Sequence, residues 1–467
     1  MDPDIAQAFQ EELSCLICMD TFINPVTLDC RHSFCQPCLC LTWEEAETPA
    51  RCPVCRQHSQ KKDLKPNIVL KSRASVARKA SLQRSLSFEE DRCGLHKETK
   101  QMFCEVDQVL LCRLCSQSQE HKAHRHQPID SVAEDRREMI LKHMETLWKK
   151  IQENQRNINE KRNIIHEWIL YANLHRGMTE DFYAVLHLGL QEEEHQYAEI
   201  LINEERVILL QLTIVQTQML QKKNHLRTVY QELMKTYRKP DVELLQDLED
   251  ALERWKCALL FMPQPLKPQL SVPLLPGLME SLQQYRVEIA FNHWIQNQHV
   301  LPDYVRNVRQ DPEYAALNDE ESYYLAALGS QVFSSGKHYW ELILNDSSTW
   351  AVGVCRDSAT GSSLTLNESE DIFLLILGKG NAHCPIFTTS PLLHHYIEKP
   401  PGWVGVFLDL DSGSVSFLNV AKNSLIWRFP TGSLQFPVRP LFLYGNPSSS
   451  RESLYVMGTL YQRILLN

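Results

Sequence analysis

Residues 15–56 read CLICMDTFINPVTLDCRHSFCQPCLCLTWEEAETPARCPVCR, and this stretch decides the fold of the first part of the chain. Three of its cysteine pairs have two residues between them, a spacing that can place both sulfur atoms on one tetrahedral zinc ion at about 2.3 Å. A further cysteine and a histidine lie between the first two pairs, so the stretch offers enough ligands for two closed zinc sites. These ligands are Cys15, Cys18, Cys30, His32, Cys35, Cys38, Cys52 and Cys55.

The distribution of cysteines favours metal binding over disulfides. Twelve of the 15 cysteines lie between Cys15 and Cys115, interleaved with histidines. Residues 1–10 carry Asp2 and Asp4 instead of a basic start and an apolar core, so no signal peptide is predicted. No apolar run reaches the length of a membrane span. We therefore expect a reducing, intracellular setting, in which disulfides are rare.

The length and charge of the chain bound its class. Its 467 residues exceed one ordinary hydrophobic core, and its net charge of -10 argues against a generally basic nucleic-acid binder. Residues 61–92, however, hold nine Lys and Arg against four Asp and Glu, with serines interspersed. The main interpretation of this stretch is a solvated linker. Phosphorylation, with Ser81 and Ser85 close after basic residues, and weak nucleic-acid binding are the alternatives.

The first cysteine cluster resembles the RING finger, whose two zinc sites are cross-braced. The resemblance implies one site formed by Cys15, Cys18, Cys35 and Cys38, and a second formed by Cys30, His32, Cys52 and Cys55. Because protein ligands fill all four positions on each ion, no position is left for an activated water, and the zinc is expected to be structural. Binding of such an ion can contribute about 10–16 kcal/mol to folding.

In RING ubiquitin ligases a shallow apolar groove binds the ubiquitin-conjugating enzyme. The family's contact positions match Ile17 in the first knuckle, Trp43 beyond Cys38, and Pro53 in the last knuckle. Arg56 matches a linchpin that hydrogen-bonds both the conjugating enzyme and its ubiquitin, and so holds the thioester in one reactive geometry. Taken singly, Ile17 and Trp43 are better explained by packing around the zinc sites, and only together with Pro53 and Arg56 do they favour a docking function.

Two residues of this stretch do not follow the family pattern. Arg31 stands where the family commonly has glycine, between the third cysteine and the histidine. If the backbone needs a positive φ there, arginine costs about 1–2 kcal/mol of strain. Cys40 lies outside the ligand set, and packing explains it better than metal binding.

A second set of eight ligands resembles the type 2 B-box, which is also cross-braced. The resemblance implies one site formed by Cys93, His96, Cys112 and Cys115, and another formed by Cys104, Asp107, His121 and His124. Zinc accepts such mixed sulfur, nitrogen and oxygen ligands, and Phe103 and Leu111 would form a small apolar core. B-boxes in the family mostly mediate self-association, so a role in assembly is expected, with a stable spacer as the alternative.

Residues 132–238 contain almost no glycine or proline, which predicts long helix. Apolar residues recur there at spacings of three and four in two seams, interrupted near Gly177 and Gly189, as is typical of a coiled coil. A dimer is predicted, with an intramolecular helical bundle as the alternative; the family forms antiparallel dimers. The first seam is Ile140, Met144, Leu147, Ile151, Ile158, Ile165, Ile169 and Ala172, with Asn154 on the same stripe, and the second is Leu201, Ile208, Leu212, Val215, Met219, Leu226, Val229 and Leu233.

A proline-rich passage, residues 263–276, precedes short strand-like runs that predict an all-β sandwich. These runs resemble a PRY-SPRY domain, although the usual leucine-aspartate opening of the PRY part, near residues 285–318, is not recognisable. Asp409 and Asp411 are interpreted as turn formers, not as a catalytic pair. Since the family's SPRY domains bind other proteins, this domain is expected to select the substrate. The strings that carry the resemblance are 336–341, 350–354, 402–409, 413–418 and 437–442.

Together these modules resemble the tripartite-motif family and predict a multidomain fold: two small zinc-stabilised modules, a long α-helical coiled coil and a C-terminal all-β sandwich. The resemblance implies a RING-type ubiquitin-protein ligase with two zinc ions in each module, which acts with a conjugating enzyme and ubiquitin on a protein substrate. It further implies a cytoplasmic homodimer, with the nucleus as an alternative location, and a role in innate immunity. A catalytically silent scaffold and a nucleic-acid binder are the rival functions. The expected domains are 11–60 RING, 61–90 basic linker, 91–130 B-box, 131–260 coiled coil and 270–467 PRY-SPRY.

Overall fold

The computed structural model describes residues 12–44, 51–59, 64, 66–85, 92–186, 191–297, 323–343, 349–357, 372–377, 386–389 and 393–446. The chain divides into two compact units, each built from segments that are distant in sequence. One unit consists of Met1–Glu160 and Val215–Gln264, and the other of Lys161–Ile214 and Pro265–Asn467. Each unit therefore contains part of the long helical region.

The first cysteine-rich stretch folds around a small hairpin. Strand β1 (Pro25–Thr27) pairs antiparallel with β2 (Ser33–Cys35), and helix α1 (Gln36–Glu44) follows directly. The basic stretch behind it contains helix α2 (Ile68–Ser85). Asn67 begins this helix, because its side-chain oxygen accepts a hydrogen bond from Leu70 N at 3.1 Å. The stretch expected to be a solvated linker is thus helical over most of its length.

The second cluster forms a three-stranded antiparallel sheet in which β3 is central. The predicted core residues Phe103 and Leu111 are both buried. A sheet this small cannot fold by burial alone, as expected of a module built around metal. The elements are β3 (Met102–Cys104), β4 (Val109–Leu111), α3 (Arg113–Ser116) and β5 (His126–Pro128).

The long helical region consists of α4 (Ile129–Leu186), α5 (Gln191–Arg238) and α6 (Asp241–Leu260). Pro240 separates the last two, because proline lacks the N–H that would continue α5. Acidic residues in the first turn of α6 then favour the start of a new helix. None of the described helices is both long enough and apolar enough to cross a membrane.

In the first unit α4 and α5 run antiparallel against each other. The rings of Trp148 in α4 and Tyr230 in α5 lie 5.8 Å apart, and the buried Asn154 donates a hydrogen bond to Met219 O at 2.7 Å. Within the chain the two seams therefore pack as an intramolecular pair of helices, the alternative that the sequence left open. Buried seam residues in this unit include Ile140, Met144, Leu147, Ile151, Leu226, Val229 and Leu233.

In the second unit two antiparallel sheets form a β-sandwich. The strands are β6 (Phe291–Asn297), β7 (Tyr323–Gly329), β8 (Lys337–Ile343), β9 (Thr349–Arg356), β10 (Ile372–Leu377), β11 (Ile386–Thr388), β12 (Leu393–His395), β13 (Trp403–Asp409), β14 (Ser414–Asn419), β15 (Ser424–Arg428) and β16 (Val438–Asn446), and helix α7 (Leu278–Gln283) precedes them. The larger sheet has the order β12-β11-β10-β9-β16-β7-β6 and the smaller β15-β14-β13-β8. Gly353 in β9 is required, because a Cβ there would lie 1.9 Å from Phe373 O.

The predicted strand strings lie in or next to strands of the sandwich, in β8, β9, β13, β14 and β16. Asp409 is a turn former, as expected, because its Oδ1 accepts hydrogen bonds from Asp411 N and Ser412 N, each at 3.2 Å. Of the predicted PRY segment, residues 298–318 lie outside the described residues.

Helices and sandwich share one hydrophobic core in the second unit. Trp168, Tyr171 and Phe182 of α4 are at most 1% exposed and belong to the same cluster as the sandwich core. The seam predicted on this part of α4 is wrong for Ile169, which is exposed, while Ile165 is only partly buried. The buried face of α4 is here mainly aromatic, and of the predicted seam it includes Ala172.

Candidate metal centres and their surroundings

Four of the ligand pairs share one local backbone conformation. In each, the residue after the second ligand has a φ between 54° and 60°, and its N–H donates a hydrogen bond to the carbonyl of the first ligand at 2.8–2.9 Å. Such a φ costs a non-glycine residue free energy, which metal binding to the closed turn can offset. The four residues are Met19, Arg56, Lys97 and Gln108.

The first predicted site has the spacing of a zinc tetrathiolate. The structure brings Cys15, Cys18, Cys35 and Cys38 together, with all four Sγ atoms within 4.8 Å of one another. The Sγ atoms of Cys18 and Cys35 are 3.9 Å apart, and two sulfurs on one tetrahedral zinc ion would be about 3.8 Å apart. A disulfide would need about 2.0 Å, and every described cysteine is a free thiol.

The second site in this module combines three sulfurs and a nitrogen. The ligand atoms of Cys30, His32, Cys52 and Cys55 lie within 4.8 Å of one another. His32 Nδ1 is 3.3 Å from Cys30 Sγ and 3.7 Å from Cys52 Sγ, close to the separation of about 3.5 Å for a nitrogen and a sulfur on one zinc ion. The module therefore holds two tetrahedral ligand sets that alternate along the chain.

Arg31 has a positive φ, the backbone conformation in which the sequence predicted that arginine would be strained. Its φ is 67°, in the left-handed region that glycine adopts at the lowest cost. In the surrounding turn Arg31 N donates to Leu28 O at 2.9 Å, and Leu28 N donates to His32 O at 3.0 Å. This turn joins β1 to β2 and sets Cys30 beside His32, so the strain lies next to two ligands.

The B-box residues form two further ligand sets. Cys93, His96, Cys112 and Cys115 make up one, and Cys104, Asp107, His121 and His124 the other, each with its ligand atoms within 4.8 Å. In the first set the Sγ atoms of Cys93 and Cys115 are 3.6 Å apart. In the second, His121 Nδ1 and His124 Nδ1 approach the same oxygen of Asp107, at 2.8 and 2.7 Å. The structure thus brings together all sixteen residues in the four predicted groups.

The thiols in each cluster compete for the same hydrogen bonds, so the pKa is lowered for some of them and raised for others, among them Cys35 and Cys38. Hydrogen bonds from Cys18, Cys35 and Cys38 hold the pKa of Cys15 far below its ordinary value. Backbone hydrogen bonds from His96 and Leu95 lower the pKa of Cys93 to about 6. Since the thiolate is the form of cysteine that ligates metal, these donors fit a bound cation.

The predicted conjugating-enzyme contacts lie at the surface of the first module. Pro53 and Arg56 are exposed, and Ile17 and Trp43 are half-buried. Trp43 Nε1 donates a hydrogen bond to Arg51 O at 2.8 Å, which fixes the indole beside the last knuckle. Pro53 and Arg56 are therefore available to a partner, while Ile17 and Trp43 also pack within the module. Packing around the zinc sites and contact with a conjugating enzyme are compatible for these two residues.

Two apolar residues on this surface were missed by sequence reasoning. Leu16 and Val54 are 49% and 48% exposed, and each lies inside a knuckle next to a predicted contact. An apolar residue between two metal ligands has little room to turn inward, and this position in the knuckle could have identified both. Cys40 belongs to none of the four clusters, and burial raises its pKa to about 11, as expected of a packing thiol.

Three family models match the chain. They are a RING-type zinc finger at residues 15–56, a B-box zinc finger at 88–129 and a SPRY domain at 337–455. The two zinc-finger models span the four ligand clusters, and the donor types and spacings fit zinc, which is the cofactor of both modules.

Human relatives match over nearly the whole length of both chains. Tripartite motif-containing protein 64 is 40% identical over 456 residues, which cover 95% of this chain and 100% of that protein. Tripartite motif-containing proteins 49C and 51 are 42% and 41% identical, each over 95% of this chain and 99% of the relative. The similarity includes the helical region and is not confined to the zinc fingers, so this chain belongs to the family of tripartite motif-containing proteins.

Proposed function

We propose that the protein is a RING-type ubiquitin-protein ligase. It recruits a ubiquitin-charged conjugating enzyme and transfers ubiquitin to lysines of a protein held by the C-terminal SPRY domain. The sixteen clustered residues bind four zinc ions, two in each module. With every position on each ion filled by protein, the metal shapes the modules and leaves no site for an activated water.

The apolar surface on the two zinc knuckles carries this proposal. Leu16 and Val54 stay half exposed beside Ile17 and the exposed Pro53, and Trp43 is pinned beside the last knuckle. Apolar side chains grouped on a rigid zinc module are typical of a protein-docking surface. Ile17, Trp43 and Pro53 would contact the conjugating enzyme.

Arg56 would contact both the conjugating enzyme and its ubiquitin. Its positive φ and the hydrogen bond from its N–H to Cys52 O fix its backbone to the last knuckle, while the side chain is exposed. A guanidinium held this way can bridge two proteins and limit the motion of the thioester, which is an orientation effect and needs no nucleophile on the ligase.

Reconstituted auto-ubiquitination with the full-length protein tests the ligase. We expect Ile17→Ala and Arg56→Ala to slow ubiquitin transfer by about tenfold or more, the effect of losing about 1.4 kcal/mol of binding. The matched controls are Ile68→Ala, an exposed isoleucine outside the zinc module, and Arg51→Ala, an exposed arginine next to Cys52. Absence of activity with a panel of conjugating enzymes, while zinc stays bound, would favour the silent scaffold.

The basic stretch does not support the nucleic-acid rival. Lys71, Arg78 and Lys79 of α2 are paired with carboxylates of α4 within the chain. A phosphate backbone would have to compete with these ion pairs, so nucleic-acid binding is not proposed.

The homodimer is proposed to use an apolar surface on α5. Ile200, Val207 and Ile214 are spaced by seven residues and are all exposed, with Leu210 exposed between them. This exposed row differs from the two seams predicted from the sequence, and a seven-residue apolar spacing is suited to packing against another helix. A second copy of the chain would present the same row.

The mass of the protein in solution tests this surface. We expect Val207→Lys together with Ile214→Lys to shift a dimer toward monomer in light scattering, because two buried charges would face the partner helix. Gln231→Lys, at an exposed polar position of the same helix beyond this surface, is the control. A dimer unaffected by the double substitution would rule this row out as the interface.

The SPRY domain is proposed to select the substrate. A full-length Ile17→Ala variant would bind a substrate protein without ubiquitinating it. Proteins that this variant retains can be purified and tested as substrates of the native protein. Ubiquitination of such a candidate would support substrate selection by this protein. A cytoplasmic location and a role in innate immunity stay predictions.

A further inference from the structure

Helix α2 is a rigid extension of the RING hairpin. Asn67, which begins the helix, donates from its backbone N to Pro25 O at 2.6 Å and from Nδ2 to Thr27 Oγ1 at 3.0 Å. Pro66 forms a bridge with Val26 in the same hairpin. The attachment of α2 is therefore one contact that orients the RING module; another is the ion pair of Arg238 in α5 with Asp20.

Ion pairs are prominent in the contact between α2 and α4, beside the packing of the half-buried Leu70 against the apolar cluster of this unit. Ion pairs join Lys71 to Glu138 at 2.6 Å, Arg78 to Glu134 at 3.0 Å and Lys79 to Asp130 at 3.3 Å. Among the side chains of α2 that the structure describes, residues 68–79, only Ala74 is buried. With so little apolar burial, the contact must be sensitive to any added charge.

Glu134 is the centre of this contact. Its two carboxylate oxygens accept hydrogen bonds from Arg78 Nε at 3.0 Å and Arg78 Nη2 at 3.2 Å, and Oε1 also accepts one from Arg137 Nη1 at 3.1 Å. Arg137 is 2% exposed and pairs with the buried Asp241 at 2.6 Å. It also donates to Tyr237 O and Lys239 O at the end of α5. Through Glu134, α2 is thus connected to the reversal between α5 and α6.

Ser75 lies on the side of α2 that faces this carboxylate. It is next to the buried Ala74 and one helical turn before Arg78, and it is half-buried, whereas Ser72 is exposed. Burial alone would raise the pKa of Glu134, but hydrogen bonds from Arg78 and Ser75 and the charges of Arg78 and Arg137 lower it. Ser75 therefore lies beside an ionised Glu134.

We propose that Ser75 is a phosphorylation site and that its phosphorylation releases α2 from α4. Lys71 and Arg73 precede it and Arg78 and Lys79 follow it, the surroundings that a protein kinase with a preference for basic substrates recognises by charge. A weakly buried helix can open locally and present the serine. In the reaction Ser75 Oγ bonds to the γ-phosphorus of ATP, the bond from that phosphorus to the β–γ bridging oxygen breaks, ADP leaves, and the hydroxyl proton is lost.

The phosphate acts on the contact in two ways. It places about two negative charges beside the carboxylate of Glu134. It also offers its oxygens to Arg78 and Lys79, three and four residues further along α2, in competition with Glu134 and Asp130. Both effects weaken the attachment of α2 to α4, and with it one of the contacts that orient the RING module.

Hydrogen exchange of the full-length, zinc-loaded protein tests the proposal. We expect phosphorylation by a purified basic-directed kinase with ATP to be mapped to Ser75, to be lost in Ser75→Ala, and to speed amide exchange in residues 68–79 by about tenfold or more. Ser75→Glu should reproduce part of the increase. Ser72→Glu, which adds the same charge three residues away on the exposed side, should not.

A second substitution separates repulsion at Glu134 from a general weakening of the helix. In a Glu134→Gln background, Ser75→Glu should add a smaller increase in exchange than it does in the native background. An equal increase in both backgrounds, equal behaviour of Ser75→Glu and Ser72→Glu, or no phosphate at Ser75 would each overturn the proposal. Zinc content measured by native mass spectrometry confirms that each variant is folded, and none of these readouts depends on ligase activity.

Discussion

Positive φ values at residues other than glycine are concentrated around the zinc ligands. Met19, Arg56, Lys97 and Gln108 each close a ligand turn, and Arg31 lies between Cys30 and His32. The strain predicted for Arg31 from its sequence position is present, because a turn that sets two ligands side by side needs this conformation. At the residue scale, the free energy of metal binding can offset the conformational cost of these positive φ values.

Replacing Arg31 with glycine should stabilise the hairpin. Arg31→Gly removes the Cβ strain at φ 67°, and we expect a gain of about 1 kcal/mol, which would slow amide exchange in residues 28–35 about fivefold. The control is Arg51→Gly. Arg51 is extended and forms a β-bridge with His58, so glycine there should weaken this bridge and should not slow amide exchange. Faster exchange in Arg31→Gly would contradict the strain.

Arg137 should be among the most sensitive positions in the first unit. Arg137→Leu leaves the buried Asp241 without its partner, and we expect a loss of about 3–5 kcal/mol in the free energy of unfolding. The pair Arg137→Leu and Asp241→Leu should lose less, because no unpaired charge is left buried. Denaturant unfolding followed by the helical circular dichroism signal measures both. Lys150→Leu, which removes an exposed pair with Glu153, should change little.

At the scale of elements, one end of the sandwich is covered by the aromatic face of α4. The ring of Tyr171 lies 5.7 Å from His175 on the same helix and 5.6 Å from His395 in β12. Tyr396 donates a hydrogen bond to Glu167 of α4 at 2.8 Å. Burial lowers the pKa of His175 to about 4 and that of His395 well below its ordinary value. Both imidazoles are therefore neutral in this contact.

Acid should weaken the packing of α4 on the sandwich. Because the buried form of His175 has the lower pKa, its contribution is complete above about pH 6.5 and is lost as the pH falls toward about 4. At pH 5 we expect a loss of about 2 kcal/mol from His175 alone. Hydrogen exchange of residues 393–397 and 424–428, corrected for the chemical effect of pH, measures it. His175→Phe should reduce the pH dependence, and His166→Phe, at an exposed site on the same helix, should not.

At the scale of the whole molecule, zinc should matter to one unit and not to the other. The four described ligand clusters all lie in the first unit. A chelator should therefore abolish protection from hydrogen exchange in residues 12–44 and 92–128, while the apolar core of the sandwich keeps its protection. Added zinc should restore the protection at four ions per chain. Loss of sandwich protection at the same chelator concentration would contradict this division.

Sequence reasoning succeeded where the signal is local. The spacing of the zinc ligands reflects the geometry of a tight turn, and the ligand groups come together as predicted. The strands of the sandwich were also predicted, because short apolar runs alternate with turn residues. A seam shows that one face of a helix is buried but not which helix covers it. The aromatic contact of Trp168 and Tyr171 was missed because it depends on a sandwich far along the chain. Helix α2 was missed because its support includes ion pairs with α4, about sixty residues away.

The shared core of α4 and the sandwich bears on how this protein can be divided or recombined. A chimera that exchanges only the residues after about 265 with those of a relative would leave Trp168, Tyr171 and Phe182 against a foreign surface. Grafts that carry Lys161–Ile214 along with the sandwich keep both sides of that surface from one parent. The unit to be exchanged as a whole is thus larger than the SPRY segment, and it includes a stretch of helix that begins about a hundred residues earlier.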